Sequence, residues 1–252
     1  MRVAVAGKGG AGKTTLSATL VRLAARSGCA VVAIDADANP NLSVALGLPA
    51  NANELIQLPS SLVSRRVGGT GLTEPVDQVL DSYAVTGPDG LRLLGMGAPA
   101  HADEGCLCSA HAVVSALLED LGAAERLVVV DMEASPEHLS RGTVRHVDAI
   151  LLVAEPSYRS LETVRRMAEL VAELPVARVA VVANKIRRAE DLEAITEFCG
   201  RHGYELGGAL PWCEQVGAAD QERMAVVDWP GAAPYVEAVR AVAGSLDLPG
   251  HR

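Results

Sequence analysis

The feature that most constrains this chain is an eight-residue run near its start, Gly7-Lys8-Gly9-Gly10-Ala11-Gly12-Lys13-Thr14. It follows an apolar stretch, residues 3–6, that reads as a strand, and it opens onto a helical pattern reaching about Arg26. The spacing G-x-x-x-x-G-K-T between strand and helix is that of a phosphate-binding loop. Its glycines let the backbone fold tightly, so that successive N–H groups point inward at phosphate oxygens. The helix starting near Lys13 adds the positive end of its dipole. Gly9, Gly10, Ala11, Gly12, Lys13, Thr14 and Thr15 are therefore the expected phosphate-binding residues. Lys13 would reach the β- and γ-phosphates, and the Thr14 hydroxyl would serve Mg²⁺.

The rest of the sequence suits a sheet around such a loop. Residues 127–130, 150–154 and 179–183 are continuous apolar runs of the kind that form strands buried on both faces, residues 30–34 read as a further apolar strand, and residues 91–96 look like a strand within a less regular region. Helical stretches at about 112–121, 161–173, 190–201 and 234–245 separate or follow them. This alternation predicts an α/β fold, a doubly wound, mostly parallel sheet flanked by helices, in one domain over residues 1–252. Residues 50–104, rich in Gly, Pro and Ser, are expected to form an irregular insertion or lid.

Composition narrows the function. The formal net charge is −9, from 22 basic and 31 acidic residues. A surface that acidic repels nucleic acid and anionic lipid on average, so neither is an expected partner. Nothing at the N-terminus reads as a signal peptide, and no run of about 18 apolar residues would span a membrane. A cytoplasmic protein with reduced thiols is expected. Only three lysines occur, Lys8, Lys13 and Lys185, against 19 arginines. All three fall inside candidate nucleotide motifs, where a compact ammonium suits phosphate.

Three carboxylates stand at strand ends. Asp35 and Asp37 follow residues 30–34, and residues two apart on a strand face the same way. At the carboxyl edge of a parallel sheet they look into the ligand crevice. One can hold the Mg²⁺ hydration shell while the other orients or deprotonates the attacking water. Asn41 could assist from the same loop. Asp131, after Val128-Val129-Val130, is the expected second magnesium carboxylate. Asn184-Lys185 ends another strand, where the amide could read an adenine edge while the lysine stem covers the ring.

Two cysteines exceed what ATP binding requires. Cys106 and Cys108 stand just before a helix. Helical residues two apart diverge by about 200°, whereas an extended or turn conformation lets them converge. One pair gives half of a tetrahedral thiolate site for Ni²⁺ or Zn²⁺, which a two-fold dimer would complete. Buried free thiols or a labile disulfide are the alternatives. His101 and His111 are nearby possible ligands. Cys29, Cys199 and Cys213 read as small core residues.

The loop K-G-G-x-G-K-T-T, with its extra Lys8, resembles the deviant P-loop of the ParA/MinD/nitrogenase-iron-protein group. The resemblance implies an ATP-sandwich homodimer in which Lys8 reaches the partner's nucleotide. It implies that Asp37 activates water and that Pro211-Trp212 begins a loop packing on adenine. A narrower resemblance rests on the Lys8 loop, on Cys106-Leu107-Cys108, and on the segment from Asp131 to Thr143. That segment, D-M-E-A-S-P-E-H-L-S-R-G-T, is similar to D-M-E-A-G-x-E-H-L-x-R-G-T of the CooC-type ATPases of nickel-enzyme maturation. Ser109 and Ser135 depart from the usual Pro and Gly, and neither removes a ligand. The resemblance covers residues 1 to about 240. It implies ATP-dependent dimerisation, a metal held between subunits by Cys106 and Cys108, and assistance to nickel insertion into carbon monoxide dehydrogenase.

Two other functions share this fold. A partitioning or positioning ATPase needs a basic surface or an amphipathic terminal helix. Residues 234–252 lack the large apolar and basic faces of such an anchor. An iron–sulfur carrier of the group typically uses C-x-x-C, and the spacing here is C-x-C.

Overall fold

In a computed structural model the described residues are 1–49, 52, 58–66, 69–96, 108–122, 125–133 and 143–250. They build an eight-stranded sheet with helices on both faces. The strands, in chain order, are β1 (Arg2–Gly7), β2 (Val31–Ala36), β5 (Val85–Thr86), β6 (Arg92–Gly95), β7 (Leu127–Met132), β8 (Ala149–Ala154), β9 (Arg178–Ile186) and β10 (Glu205–Pro211). A separate antiparallel hairpin pairs β3 (Val63–Arg66) with β4 (Gly69–Leu72). The sheet order is β10-β9-β8-β1-β7-β2-β6-β5, parallel throughout except for β5 against β6.

The central strands β1, β2, β7 and β8 are apolar along nearly their whole length because both faces are covered. Along β1, Val3 and Val5 enter one core layer and Ala4 and Ala6 the other. The first layer holds Leu16, Leu20 and Leu23 of α1 (Lys13–Arg26), with Val236, Val239 and Val242 of α8 (Ala233–Ser245). The second holds residues from four helices, α3 (Val76–Tyr83), α4 (Cys108–Leu121), α5 (Tyr158–Val171) and α6 (Ala189–His202). The short α2 (Leu42–Ala45) follows β2, and α7 (Glu214–Gln221) follows β10.

Three local readings change. First, α4 begins at Cys108, four residues before the apolar pattern starts, so Cys108 opens the helix instead of preceding it. Small and polar residues there permit helix without showing its period. Second, β2 ends at Ala36, and the chain turns so that the Asp37 N–H donates to Asp35 Oδ1 at 3.2 Å. Asp35 and Asp37 are thus not two side chains of one strand face. Third, residues 50–104 hold more than the strand expected at 91–96: that strand, β6, pairs with β2 inside the main sheet, and β3 with β4 forms the hairpin. The β3–β4 residues carry too few apolar side chains to announce strands.

One buried charge ties α1 to its surroundings. Arg22 is 3% exposed. It donates to Leu46 O at 2.9 Å, to Asp228 Oδ2 at 2.8 Å and to Asp89 Oδ2 at 3.1 Å. Arg26, one turn on, pairs with the same two aspartates. Without Arg22 the Leu46 carbonyl loses this donor, while Asp89 and Asp228 keep Arg26. Arg22→Met should lower unfolding free energy by about 2–3 kcal/mol. Urea denaturation checks this as a lower midpoint at an unchanged slope.

Candidate functional site

The parallel register brings the ends of β1, β2, β7, β8, β9 and β10 to one edge. Gly7 ends β1 with φ 148°, and a Cβ there would lie 2.6 Å from the Val153 carbonyl oxygen of β8. Only glycine lets the two backbones come so close. The loop then closes through Ala11 N–H donating to Lys8 O at 3.1 Å. Gly12, left-handed at φ 95°, caps α1, and a Cβ on it would overlap Asn184 Nδ2. The first turn of α1 has neither an acidic residue nor a side-chain cap, so its N–H groups and dipole end are open to an anion.

Lys13 is buried, and its Nζ donates to Lys8 O at 3.4 Å. Burial lowers its pKa, and the neighbouring Asp131, Asp37 and Glu133 oppose that shift. Lys8 is half-buried, and its ammonium donates to the carbonyl of Gly9 in its own loop, at 3.3 Å. Gly9 and Gly10 beside it are exposed.

Asp35 and Asp131 are register partners on adjacent strands, both 2% exposed. Burial and mutual repulsion push Asp35 up to about 7, although it accepts the N–H of Leu42 at 2.9 Å and that of Asp37. Burial likewise raises Asp131 to about 6, against hydroxyl bonds from Thr14 and from Ser17, the latter at 3.1 Å. Two desolvated carboxylates beside a threonine hydroxyl form a hard-oxygen donor set for a divalent cation. Asp37 lies just beyond β2, is half-buried, and accepts Asn39 N–H at 2.8 Å. Asn41 Nδ2 donates to Asn39 O at 2.8 Å.

A cleft of about 400 Å³ runs from the loop between Thr15, Asn184, Lys185, Pro211 and Trp212, with α7 and Tyr235 closing its far end. Asn184 Nδ2 donates to Ala11 O at 2.7 Å. Lys185 Nζ donates to Gly10 O at 2.6 Å and to Glu155 Oε1 at 2.5 Å. Arg187 stacks on the Trp212 ring at 3.9 Å.

Of the expected residues, Gly10, Gly12, Lys13, Thr14, Thr15, Asn184, Lys185 and Pro211 line that cleft, while Asp37 and Asp131 stand near Lys13, and Asp35 is the register partner of Asp131. Cys106 and the Cys108 side chain lie outside the described residues, as does His101. His111 is buried in α4. Among the described residues no group of three or more His, Cys, Asp or Glu is placed to hold a metal by itself. Two contributors escaped sequence reading. Ser17 is one helical turn after Thr14 on the same face, and that i,i+3 spacing was its signal. Glu155 directly follows the apolar run of β8, as Asp131 ends that of β7.

Comparison with known proteins agrees with the fold. The model of the CobQ/CobB/MinD/ParA nucleotide binding domain matches residues 3–226. The carbon monoxide dehydrogenase accessory protein CooC of Rhodospirillum rubrum is 36% identical over 90% of both chains. An uncharacterized ATP-binding protein of Methanocaldococcus jannaschii is 34% identical over 86% of this chain and 87% of its own. Among solved structures, MinD of Pyrococcus horikoshii complexed with Mg-ADP superposes with a TM-score of 0.71 at 18% identity, covering 98% of this chain and 96% of that one. MinD of Aquifex aeolicus superposes at 0.69 with 22% identity and 97% coverage of both. Among the described residues no helix is long and apolar enough to cross a membrane.

The carboxylate pair makes a pH prediction for the nucleotide-free protein in EDTA. An ordinary Asp titrates near 3.8, and the folded values are about 7 and about 6. Folding therefore takes up protons, and the stability associated with these groups falls as pH rises from about 4 to 7. Asp131→Asn should escape its share of that loss. The variant should be more stable than wild type by about 1–3 kcal/mol at pH 7.5, and by much less at pH 4. Denaturation across pH measures the difference; one that does not grow with pH refutes the assignment.

Proposed function

Because the chain belongs to the CobQ/CobB/MinD/ParA nucleotide-binding family, and to its CooC-type branch, we propose that it is a magnesium-dependent ATPase that dimerises around ATP and assists nickel insertion into a carbon monoxide dehydrogenase-like enzyme. The observation that carries the ATPase reading is the joining of an anion-ready loop to a buried carboxylate pair at one sheet edge. The observation that carries the narrower reading is the 36% identity with the Rhodospirillum rubrum accessory protein over most of both chains.

The residues divide the work as follows. N–H groups of Gly9 to Thr15 surround the phosphates, and Lys13 supplies its ammonium to the β- and γ-oxygens. Thr14, Asp35 and Asp131 would hold magnesium, directly or through its water shell. Bound there, magnesium neutralises phosphate charge. Asp37, the more exposed carboxylate, orients the attacking water and accepts its proton. Lys8 serves the partner subunit's nucleotide, which completes each site only in the homodimer. Asn184, Lys185 and Pro211 border the part of the cleft that the base fills. The nickel or zinc cargo is a substrate carried by Cys106 and Cys108 from two subunits, four thiolates in all. The client is a cytoplasmic metalloenzyme, and neither nucleic acid nor membrane takes part.

Lys13→Ala should abolish ATP turnover. Lys8→Ala should still bind ATP yet fail to form the ATP-dependent dimer by sedimentation, and normal dimerisation of that variant would remove the trans role. The cargo is tested by titrating nickel and zinc into wild type and the Cys106→Ser/Cys108→Ser double variant. Half an equivalent per wild-type chain and none in the variant is expected; equal stoichiometry in both sinks the metallochaperone reading.

A further inference from the structure

Adjacent residues of a strand normally point to opposite faces. Asn184 and Lys185 do not. Lys185 has φ 61°, a left-handed conformation disfavoured by its Cβ, and the β9–β10 register jumps there, with Ala209 opposite Ala183 and Pro211 opposite Ile186. Such bulges re-aim side chains beside active sites. Asn184 Oδ1 accepts the Lys185 N–H at 2.8 Å, which fixes the bend. Both side chains then fall on the same loop, holding the consecutive carbonyls of Ala11 and Gly10.

The C=O and N–H of a trans peptide point in opposite directions. With the Ala11 carbonyl held against Asn184, the Gly12 N–H faces away from β9. With the Gly10 carbonyl held by Lys185, the Ala11 N–H is set on Lys8 O. The lysine is anchored in turn. Its ammonium pairs with Glu155, whose own N–H donates at 2.9 Å to the hydroxyl of Ser160, fully buried in α5. A continuous chain of contacts thus runs from α5 through Glu155 and Lys185 to the loop. The charge of Lys185 is committed to a carboxylate and a carbonyl, unlike those of Lys8 and Lys13.

We infer that Asn184, Lys185 and Glu155 form a clamp that holds the loop in its phosphate-binding conformation, and that Lys185 and Glu155 set nucleotide affinity as positioning residues. This rests on the nucleotide-binding reading above. A pre-organised loop binds ground state and transition state alike, so loosening it raises KM and leaves kcat nearly unchanged.

The test combines titration of a fluorescent ATP analogue with Mg²⁺ and steady-state hydrolysis. Lys185→Asn is the informative variant, because asparagine tolerates the left-handed backbone but brings no ammonium. It should weaken binding and raise KM about tenfold with kcat within about twofold. Glu155→Gln should shift both about threefold in the same direction, and Lys185→Arg should stay within about threefold of wild type. The double variant Lys185→Asn/Glu155→Gln should bind no more weakly than Lys185→Asn, since both act through one contact. Wild-type affinity in Lys185→Asn, a loss confined to kcat, or additive losses in the double variant would overturn the clamp. Failure of the wild-type protein to bind any nucleotide would overturn the underlying reading as well, and shows before any variant is measured.

Discussion

Everything at the site depends on the parallel register of strands that are buried on both faces. Such strands have no room for polar side chains along their length, so charge can appear only where a strand ends. Because the main strands run the same way, those ends gather at one edge. Gly7, Asp35, Asp131, Asn184 and Pro211 come from five strands, Glu155 directly follows a sixth, and they meet there for this reason. The alternation of Val3 and Val5 with Ala4 and Ala6 between two core layers is the other half of the same constraint.

The concentration of carboxylates at that edge has an electrostatic cost. Asp35 and Asp131 sit in register on neighbouring strands, and burial pushes both toward their protonated forms. Thr14, Ser17 and Lys13 relieve Asp131, while backbone N–H groups relieve Asp35. What remains of the shift is a cost to the stability of the fold, carried by two carboxylates held side by side out of water.

The loop and the ends of β2 and β7 were legible in the sequence because their signals are local: a fixed glycine spacing, and an aspartate directly after an apolar run. The strand–helix alternation was legible for the same reason. The β3–β4 hairpin was not, since its residues carry too little apolar pattern. The turn after Ala36 was hidden too, because it depends on Asp35 accepting the Asp37 N–H, a contact that periodicity does not encode. Ser17 and Glu155 were missed although each sits at an informative spacing. The double role of Asn184 and Lys185 required the backbone kink at Lys185, which no residue type there announces.

The scarcity of lysine has a chemical corollary. Arginine carries nearly all the positive charge, and the three lysines stand around one loop: Lys8 on it, Lys13 at the first position of α1, and Lys185 against the Gly10 carbonyl. Two of the three side-chain amines therefore line the cleft, and the third, on Lys8, stands on the loop beside it. A reagent or enzyme that acylates lysine side chains has no neutral position on this chain to modify. Lysine acylation, which elsewhere decorates surfaces with little effect, would here fall on the loop itself or on a residue that supports it.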